Sequence, residues 1–246
     1  MRVRKKTLLI ALAALLAAGG IAALGIFVLL PMGRYHRAEA MLAKGDAAGA
    51  FEAFDRLRGY RDAETRKEKL QAEALGSRAA ESMAFGGYDW LVLEARDGRA
   101  LLLMKDILEL RPFNESMEET TWEACTLRAY LNGEFYGSFA PKDRLRIAET
   151  AVANSGNPES GVRGGEDTKD YVFLLSLAQA RFYFPEDAAR AARFEGAAAW
   201  WWLRSPGIAA NTAATVGSDG RLGYAGSGVS YRDRGVRPAI WVALGA

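Results

Sequence analysis

The feature that most constrains this chain is an uninterrupted apolar stretch near its N-terminus. Residues 7–30, from Thr7 to Leu30, contain no charged side chain. As an α-helix they would cover about 36 Å at about 1.5 Å per residue, more than the ~30 Å hydrocarbon core of a bilayer. A cleaved signal peptide is the alternative, but its apolar region is typically only about 7–15 residues long. The length therefore predicts an uncleaved signal anchor, a transmembrane helix over residues 7–30 that contacts the lipid bilayer.

The charges around this stretch predict its orientation. Residues 1–6 form a basic head with four positive charges, whereas only Arg34 and Arg37 follow closely after the stretch. Because basic residues concentrate on the cytoplasmic side, we expect a single-pass protein of the cell membrane with a cytoplasmic N-terminus and an extracytoplasmic C-terminal domain. The formal net charge of +2 becomes −2 once the head is set aside, which argues against binding to nucleic acid.

The supply of reactive side chains is small. Cys125 is the single cysteine and His36 the single histidine. This excludes an intramolecular disulfide, a Cys-x-x-Cys redox pair, a cysteine-rich zinc site and a multi-histidine metal site. A Ser-His-Asp triad is excluded from the C-terminal domain for the same reason. We therefore expect no metal and no cofactor, and any catalysis would have to use carboxylates, lysine or tyrosine.

Residues 31–85 have a helical pattern. Apolar residues recur at three- and four-residue spacing, and Gly45-Asp46 interrupts the pattern, which predicts a helical hairpin. The segment from Ala38 to Phe54, Ala-Glu-Ala-Met-Leu-Ala-Lys-Gly-Asp-Ala-Ala-Gly-Ala-Phe-Glu-Ala-Phe, resembles a degenerate tetratricopeptide-type helical pair. Because solenoids need about three repeats to bury a continuous core, we expect a spacer rather than a peptide-binding groove.

After Gly86-Gly87 the pattern changes to short β-like runs, so we place a second domain over residues 86–246. A hairpin turn is predicted at Asp97-Gly98. Helix is predicted between Thr121 and Thr150, with Leu145 among its apolar anchors, and Ser176 is predicted to cap a short helix. A Gly-, Asn- and Ser-rich flexible loop is predicted over residues 154–169. The predicted strands are Asp89–Glu94, Ala100–Met104, Tyr171–Leu177, Trp200–Leu203, Thr212–Val216, Leu222–Ala225, Val229–Tyr231 and Pro238–Leu244.

Two blocks in this domain form a signature. Trp201 to Gly207 read Trp-Trp-Leu-Arg-Ser-Pro-Gly, and Gly235 to Ala239 read Gly-Val-Arg-Pro-Ala. Together with Trp90–Leu93, Leu101–Lys105, Thr121–Asn132 and Val172–Leu177, they resemble a domain family of unknown function that is common in Gram-positive gut bacteria and is often attached to a membrane anchor or a helical spacer. The resemblance covers about residues 86–245. Its signature residues are Trp201, Trp202, Arg204, Gly235, Arg237 and Pro238.

That family is similar in turn to the C-type-lectin-like fold of formylglycine-generating enzymes and of the variable proteins of diversity-generating retroelements. The resemblance implies an α+β domain with a core of antiparallel strands and long loops displayed from one side. Copper chemistry of the formylglycine-generating type requires a cysteine pair, which the single Cys125 excludes. The Glu-Pro-Asn, Gln-Pro-Asp and Trp-Asn-Asp motifs of calcium-dependent lectins are also absent from the sequence.

Three further features allow more than one interpretation. The run Trp200 to Trp202 would place Trp200 and Trp202 on one face of a strand, and it is interpreted as core packing or as a sugar-stacking platform. Arg204 and Arg237 are interpreted as structural residues that bind backbone carbonyls. Glu166, Asp167 and Asp170 have ligand atoms suited to calcium, but their spacing fits no known loop, which favours a solvated turn.

The candidate ligand surface lies between Gly207 and Gly235, where Ser, Gly and Asn accompany aromatic and charged residues. Its candidate residues are Tyr224, Tyr231, Arg232, Asp233 and Arg234. An ordinary loop-rich surface is the alternative. The sequence favours a membrane-anchored, extracytoplasmic, non-catalytic module that binds a glycan, peptide or protein or mediates adhesion. The alternatives are a carboxylate-based enzyme that acts on cell-wall or host glycans, and a membrane-tethered scaffold whose helices recruit a protein.

Overall fold

A computed structural model describes residues 30–57, 59–77 and 81–245. The chain divides into two compact units, Met1–Lys69 and Leu70–Ala246. The predicted basic head and nearly all of the predicted transmembrane segment lie outside the described residues. Within the described ranges, every helix is too short or too polar to cross a membrane.

The described part of the first unit is helical. Helix α1 spans Leu30–Ala43, α2 spans Ala47–Asp55, and α3 spans Ala63–Gly76 and continues into the second unit. The predicted break at Gly45-Asp46 is confirmed, because Asp46 caps α2 by accepting a hydrogen bond from the Gly49 N–H at 2.9 Å. Apolar residues between α1 and α2 form the core of this unit, where the ring of Tyr35 packs edge-on against Phe54.

The second unit is a mixed α+β fold, as the sequence predicted. Its strands are β1 (Ser82–Phe85), β2 (Tyr88–Arg96), β3 (Arg99–Met104), β4 (Glu109–Leu110), β5 (Thr150–Val152), β6 (Thr168–Asp170), β7 (Val172–Phe173), β8 (Ala192–Phe194), β9 (Ala197–Ala199), β10 (Trp201–Pro206), β11 (Thr212–Val216), β12 (Leu222–Gly228), β13 (Gly235–Val236) and β14 (Ala239–Ala243). Its shorter helices are α4 (Thr126–Tyr130), α5 (Tyr136–Ser138), α6 (Pro141–Arg144), α7 (Leu177–Tyr183) and α8 (Asp187–Arg190), with a π-helical turn (Leu131–Phe135) between α4 and α5.

The first sheet has the order β1-β2-β3-β14-β7. Strand β1 precedes the predicted domain start at residue 86 and already pairs with β2. The predicted turn at Asp97-Gly98 is confirmed, and both residues have positive φ (49° and 69°), the geometry of a tight two-residue hairpin. The last strand, β14, inserts between β3 and β7, with Leu103 opposite Ala239. The beginning and the end of this unit are therefore joined in one sheet.

The second sheet has the order β12-β11-β10-β13-β4. Strand β13 runs parallel to β10, with Gly235 beside Trp201, so the two blocks of the signature are neighbours in space. The chain leaves this sheet after Val236 and enters the first sheet at Ala239. Arg237 and Pro238 therefore form the crossing between the two sheets.

Several local predictions were wrong. The helix predicted between Thr121 and Thr150 is broken into short segments, and Leu145 lies just after α6 with 89% of its surface exposed rather than in the core. Of the strand predicted over Tyr171–Leu177, only Val172–Phe173 pairs as β7. Strand β12 extends past its predicted end at Ala225 to Gly228, because β11 supplies backbone partners. Val229–Tyr231 leaves that strand and turns. The predicted cap at Ser176 is confirmed, since Ser176 and Gln179 bond reciprocally at the start of α7.

Candidate functional site

The signature tryptophans lie in the core. Trp201 and Trp202 are completely buried. Each indole N–H donates to a backbone carbonyl, Trp201 to Arg190 at 3.1 Å and Trp202 to Arg111 at 2.8 Å. Their rings and their polar atoms are both fully used inside the protein, so neither residue can serve as a sugar-stacking platform.

Arg237 lies where the chain crosses between the two sheets, and its side chain donates hydrogen bonds to backbone carbonyls of other segments. Its side chain is buried and donates to the carbonyls of Met104 (2.9 Å), Lys105 (3.0 Å) and Arg190 (3.1 Å). Burial lowers the pKa of its guanidinium to about 10. A guanidinium has five donors in a fixed plane, and here three of its nitrogens hold together segments more than forty residues apart in sequence.

Arg204 has a similar arrangement in the second sheet. It donates to the carbonyls of Leu174 (2.7 Å) and Ala153 (2.9 Å) and to the side-chain oxygen of Asn154 (3.2 Å). The side-chain carbonyl of Gln179, the capping residue of α7, accepts from it as well. Arg204 therefore joins β10 to the segment that the sequence predicted as a flexible loop.

Residues 154–169 are held in place by two buried asparagines. Asn157 donates to the carbonyls of Pro206 (3.0 Å) and Tyr224 (2.8 Å), and its side-chain oxygen accepts the N–H of Glu159 and of Ser160. Asn154 is tied to the other end of the loop through Glu166 and Asp167. The local sequence pattern did not predict the contacts of Asn157 with Pro206 and Tyr224, because these residues are distant in sequence.

The acidic residues at the end of this loop have different environments, and Asp170 does not belong to a solvated turn. Asp170 is buried and accepts hydrogen bonds from Trp122 Nε1 (2.9 Å), Arg128 Nε (2.7 Å) and Thr168 Oγ1 (2.8 Å). Glu166 and Asp167 are exposed, as predicted. The buried Asp170 carboxylate already accepts three hydrogen bonds from the protein, which argues against a role as a calcium ligand.

The exposed aromatic residues gather elsewhere, around Arg234. Its Cζ lies 5.1 Å from the ring centroid of Trp200 and 5.8 Å from that of Tyr231. Trp200 is 42% exposed and Tyr231 is 48% exposed, whereas the Arg234 side chain is mostly covered. Trp200 does not share the burial of Trp202 because it lies between β9 and β10, outside the regular strand. Its carbonyl accepts the N–H of Gly235 at 2.7 Å, which fixes its backbone beside Arg234.

Met117 completes this surface. The strand at Gly228 has no side chain, and a Cβ there would lie 2.7 Å from Met117 Cε and 2.9 Å from Tyr231 Cε1. Both side chains therefore rest on the backbone of β12 at that glycine. Met117 is 45% exposed. We call Trp200, Tyr231, Arg234 and Met117 the Trp200 cluster.

The other predicted ligand residues have different surroundings. Asp233 pairs with Arg234 at 2.8 Å, and Arg232 pairs with Glu115 at 2.5 Å, so both lie beside the Trp200 cluster. Tyr224 is half-buried in β12, where its carbonyl accepts from Asn157. Of the five residues, Tyr231 and Arg234 belong to the cluster, Arg232 and Asp233 form its edge, and Tyr224 belongs to the strand that carries Gly228.

A second charged and aromatic group borders the backbone of Arg234, whose carbonyl accepts the N–H of Arg111 at 3.1 Å. The Arg111 Cζ lies 3.8 Å from the ring centroid of Tyr130, and its guanidinium pairs with Glu109 at 3.2 Å. Burial and the hydrogen bond to the Glu109 carboxylate raise the pKa of Tyr130 to about 12. Tyr130 therefore stays protonated at neutral pH and acts as a donor, not as a base.

The buried Cys125 and Glu94 side chains each have a hydrogen-bond partner within the protein. Burial raises the pKa of the Cys125 thiol to about 12, which suppresses the thiolate at neutral pH. Glu94 and Asp170 are the two buried carboxylates among the described residues. Glu94 accepts a hydrogen bond from the Tyr183 hydroxyl at 2.5 Å and pairs with Arg96 at 3.0 Å. Among residues 30–57, 59–77 and 81–245, no three acidic, histidine or cysteine side chains are grouped so as to hold a metal ion.

Sequence reasoning missed Met117 and the exposure of Trp200. A signal for Met117 existed, because it is one apolar side chain within the polar run from Asn114 to Thr121. The exposure of Trp200 had no local signal, since the neighbouring tryptophans are chemically identical and differ only in their position relative to the strand.

One family matches residues 97–244, and it is described as a domain of unknown function, DUF6273. The match contains both signature blocks and the whole Trp200 cluster. No curated protein and no solved structure matches the chain.

Proposed function

This chain belongs to the DUF6273 family of domains of unknown function, and on that premise we propose that it is a non-catalytic ligand-binding module. The module would be presented outside the cell by an N-terminal membrane anchor and would use the Trp200 cluster as its binding surface. The single observation that carries this proposal is the exposure of two aromatic rings, Trp200 and Tyr231, that both contact one covered arginine, Arg234.

Exposed aromatic rings are costly to leave in water and are concentrated in binding surfaces. In the described part of this domain every other Phe, Tyr and Trp side chain is buried or half-buried, and Trp90, Trp122, Trp201 and Trp202 are fully buried. Trp200 and Tyr231 are therefore exceptions to the packing of their own domain. Arg234 keeps them in position through a hydrogen bond to Ser227 (3.1 Å) and through its contacts with both rings. A surface that is already ordered loses less conformational entropy on binding.

The finer fold assignment is part of the proposal. A C-type-lectin-like domain is a core of antiparallel strands with long loops on one side. The two five-stranded sheets, in which all strand pairs but β10 with β13 are antiparallel, support that assignment. The uncharged length of residues 7–30 supports the anchor, and the asymmetry of basic residues supports an extracytoplasmic domain.

The binding test is a thermal-shift screen of the full-length chain in detergent micelles against chitin oligosaccharides, muropeptides, synthetic peptides and calcium chloride. A ligand at about 100 times its Kd adds roughly 2.7 kcal/mol, which corresponds to a rise in Tm of about 5–10 °C. We expect at least one non-metal class to give such a shift. We expect Trp200→Ala and Tyr231→Ala to abolish it.

Leu145→Ala is the matched control, because it also removes an exposed apolar side chain but lies outside the Trp200 cluster. It should keep the full shift. A ligand whose shift survives Trp200→Ala would overturn the assignment of the site, and a cooperative melt with no shift from any class would overturn the binding proposal itself.

Orientation is tested separately with a C-terminal epitope tag in intact cells. External protease should remove the tag without permeabilisation. Resistance of the tag until the cells are permeabilised would contradict the extracytoplasmic placement.

A further inference from the structure

The chemistry of the Trp200 cluster indicates the class of its ligand, on the premise that the proposed function is correct. Trp, Tyr, Arg and Met are the residue types enriched in the centres of protein–protein interfaces, and the cluster contains one of each. Trp200, Met117 and Tyr231 are between 42% and 48% exposed. The fourth residue, Arg234, contacts the rings of Trp200 and Tyr231. The cluster has the composition of an unoccupied interface centre.

The two guanidinium groups around the cluster are already paired. Arg234 is paired with Asp233 at 2.8 Å and also donates to Ser227, and Arg232 is paired with Glu115 at 2.5 Å. A sugar that stacks on Trp200 would need free donors and acceptors for its hydroxyl groups, because unpaired polar groups are costly to bury. An apolar side chain between Trp200 and Met117 has no such requirement. The internal pairing therefore favours a protein segment over a glycan.

The rim has an excess of negative charge. The loop that carries Met117 also carries Glu118 and Glu119, both exposed, and no ion pair reaches either of them within the described residues. The two arginines at the rim are each compensated by their own carboxylate. Two negative charges thus remain uncompensated beside an apolar centre, which is complementary to a partner whose apolar side chain is flanked by lysine or arginine.

We propose that the Trp200 cluster docks an extended protein segment that presents an apolar side chain between basic residues. The apolar side chain packs against Trp200, Tyr231 and Met117. The flanking cations lie near Glu118 and Glu119. Since Met is flexible and polarizable, this surface tolerates different apolar side chains, so the charge pattern of the segment sets its selectivity.

The test is fluorescence anisotropy on the full-length chain in neutral detergent, with two labelled decapeptides as probes. One alternates lysine with leucine, and the other alternates glutamate with leucine. We expect the lysine peptide to bind at least about tenfold more tightly, and raising the salt to weaken it. Trp200→Ala and Met117→Ala should each weaken it by about tenfold or more, as truncation of interface centres does.

The charge contribution is tested with matched double variants. Glu118→Gln with Glu119→Gln removes the rim charges and should weaken the lysine peptide by about threefold to tenfold. Glu149→Gln with Glu186→Gln removes the same charge from exposed positions elsewhere and should leave its affinity unchanged. Equal loss in both double variants would overturn the proposal, because it would show non-specific attraction.

Binding of unlabelled chitohexaose distinguishes failure of this proposal from failure of the proposed ligand-binding function. If chitohexaose binds in a Trp200-dependent manner and the lysine peptide does not, the docking proposal is overturned while the ligand-binding function stands. Equal affinity for both peptides also overturns it. If the lysine peptide binds equally to wild type and Trp200→Ala, both this proposal and the assigned site fail.

Discussion

The indole N–H of Trp201 and the guanidinium of Arg237 donate to the same acceptor, the carbonyl oxygen of Arg190, each at 3.1 Å. The guanidinium also lies over the indole, with Cζ 4.9 Å from the ring centroid. One residue comes from each block of the signature. The two blocks therefore meet at a single backbone atom in the core, which is a reason for their joint presence that does not depend on any ligand.

Replacement of Arg237 with methionine should destabilise the second unit by about 3 kcal/mol or more, because three buried carbonyls lose their donor at once. Urea denaturation followed by tryptophan fluorescence measures this, since all six tryptophans lie in that unit. The control is Arg221→Met, whose side chain is 79% exposed and which should change stability by less than about 0.5 kcal/mol. Similar values for both variants would refute the role assigned to Arg237.

Neighbouring tryptophans should differ sharply in their contribution to stability. Trp201→Ala opens a buried cavity and should cost about 3–5 kcal/mol. Trp200→Ala removes a ring that is 42% exposed and should cost less than about 1 kcal/mol. The same denaturation assay compares them. A loss at Trp200 as large as that at Trp201 would mean that Trp200 is a core residue and would weaken its use as a binding probe.

Asp170 and Glu166 form a matched pair of acidic residues. Asp170→Ala leaves the indole of Trp122, the hydroxyl of Thr168 and the guanidinium of Arg128 without their shared acceptor, so we expect a loss of about 3–5 kcal/mol. Glu166→Ala at an exposed position should be nearly neutral. Calcium should raise the Tm of none of the three proteins, and a calcium-dependent rise that is lost in Asp170→Ala would restore the metal interpretation.

Alanine substitutions at Gly86 and Gly87 distinguish the cost of backbone strain from the cost of a steric clash. Both glycines have positive φ, 59° and 86°, so alanine at either position costs about 1–2 kcal/mol from backbone conformation alone. At Gly86 a Cβ would also lie 2.4 Å from the ring of Phe139, whereas at Gly87 nothing lies within 4 Å. We expect Gly86→Ala to lose about 1–3 kcal/mol more than Gly87→Ala in thermal or urea unfolding. Equal losses would show that Phe139 moves aside freely.

Cys125 should make the free energy of unfolding of the second unit depend on pH in the alkaline range. The unfolded thiol ionises near pH 9.0, whereas burial raises the folded pKa to about 12. Between these values the unfolded chain releases a proton that the folded chain keeps, so this group's stabilisation falls as pH rises, by roughly 1.4 kcal/mol per pH unit. Below pH 9.0 both states are protonated and this dependence vanishes.

Cys125→Ser provides the reference, since serine retains an acceptor for the Arg128 N–H at the start of α4 but does not ionise in this range. The difference in unfolding free energy between wild type and variant should stay constant up to about pH 9 and then shift against the wild type as pH rises. A difference that stays constant up to pH 11 would contradict the burial of the thiol.

The sequence by itself determined the turns and helix caps, because these depend only on residues that are neighbours in the chain. The turn at Asp97-Gly98, the break and cap at Gly45-Asp46 and the cap at Ser176 follow from residue types that adopt or satisfy those conformations. The alternating β-runs likewise predicted the α+β class, and the predicted resemblance to a domain family of unknown function agrees with the family match over residues 97–244. Two of the five predicted ligand residues, Tyr231 and Arg234, belong to the Trp200 cluster.

Tertiary structure decided which of several identical side chains is buried. Trp200 and Trp201 are neighbours in sequence, yet only the second lies within β10 and under Arg237. Asp170 is buried because Trp122, 48 residues away, donates to it, while Glu166 nearby has an exposed side chain. Met117 comes beside Tyr231 because both side chains rest on Gly228, which is distant in sequence from Met117. These outcomes depend on contacts between remote segments, whose free energy has no counterpart in the local pattern of the chain.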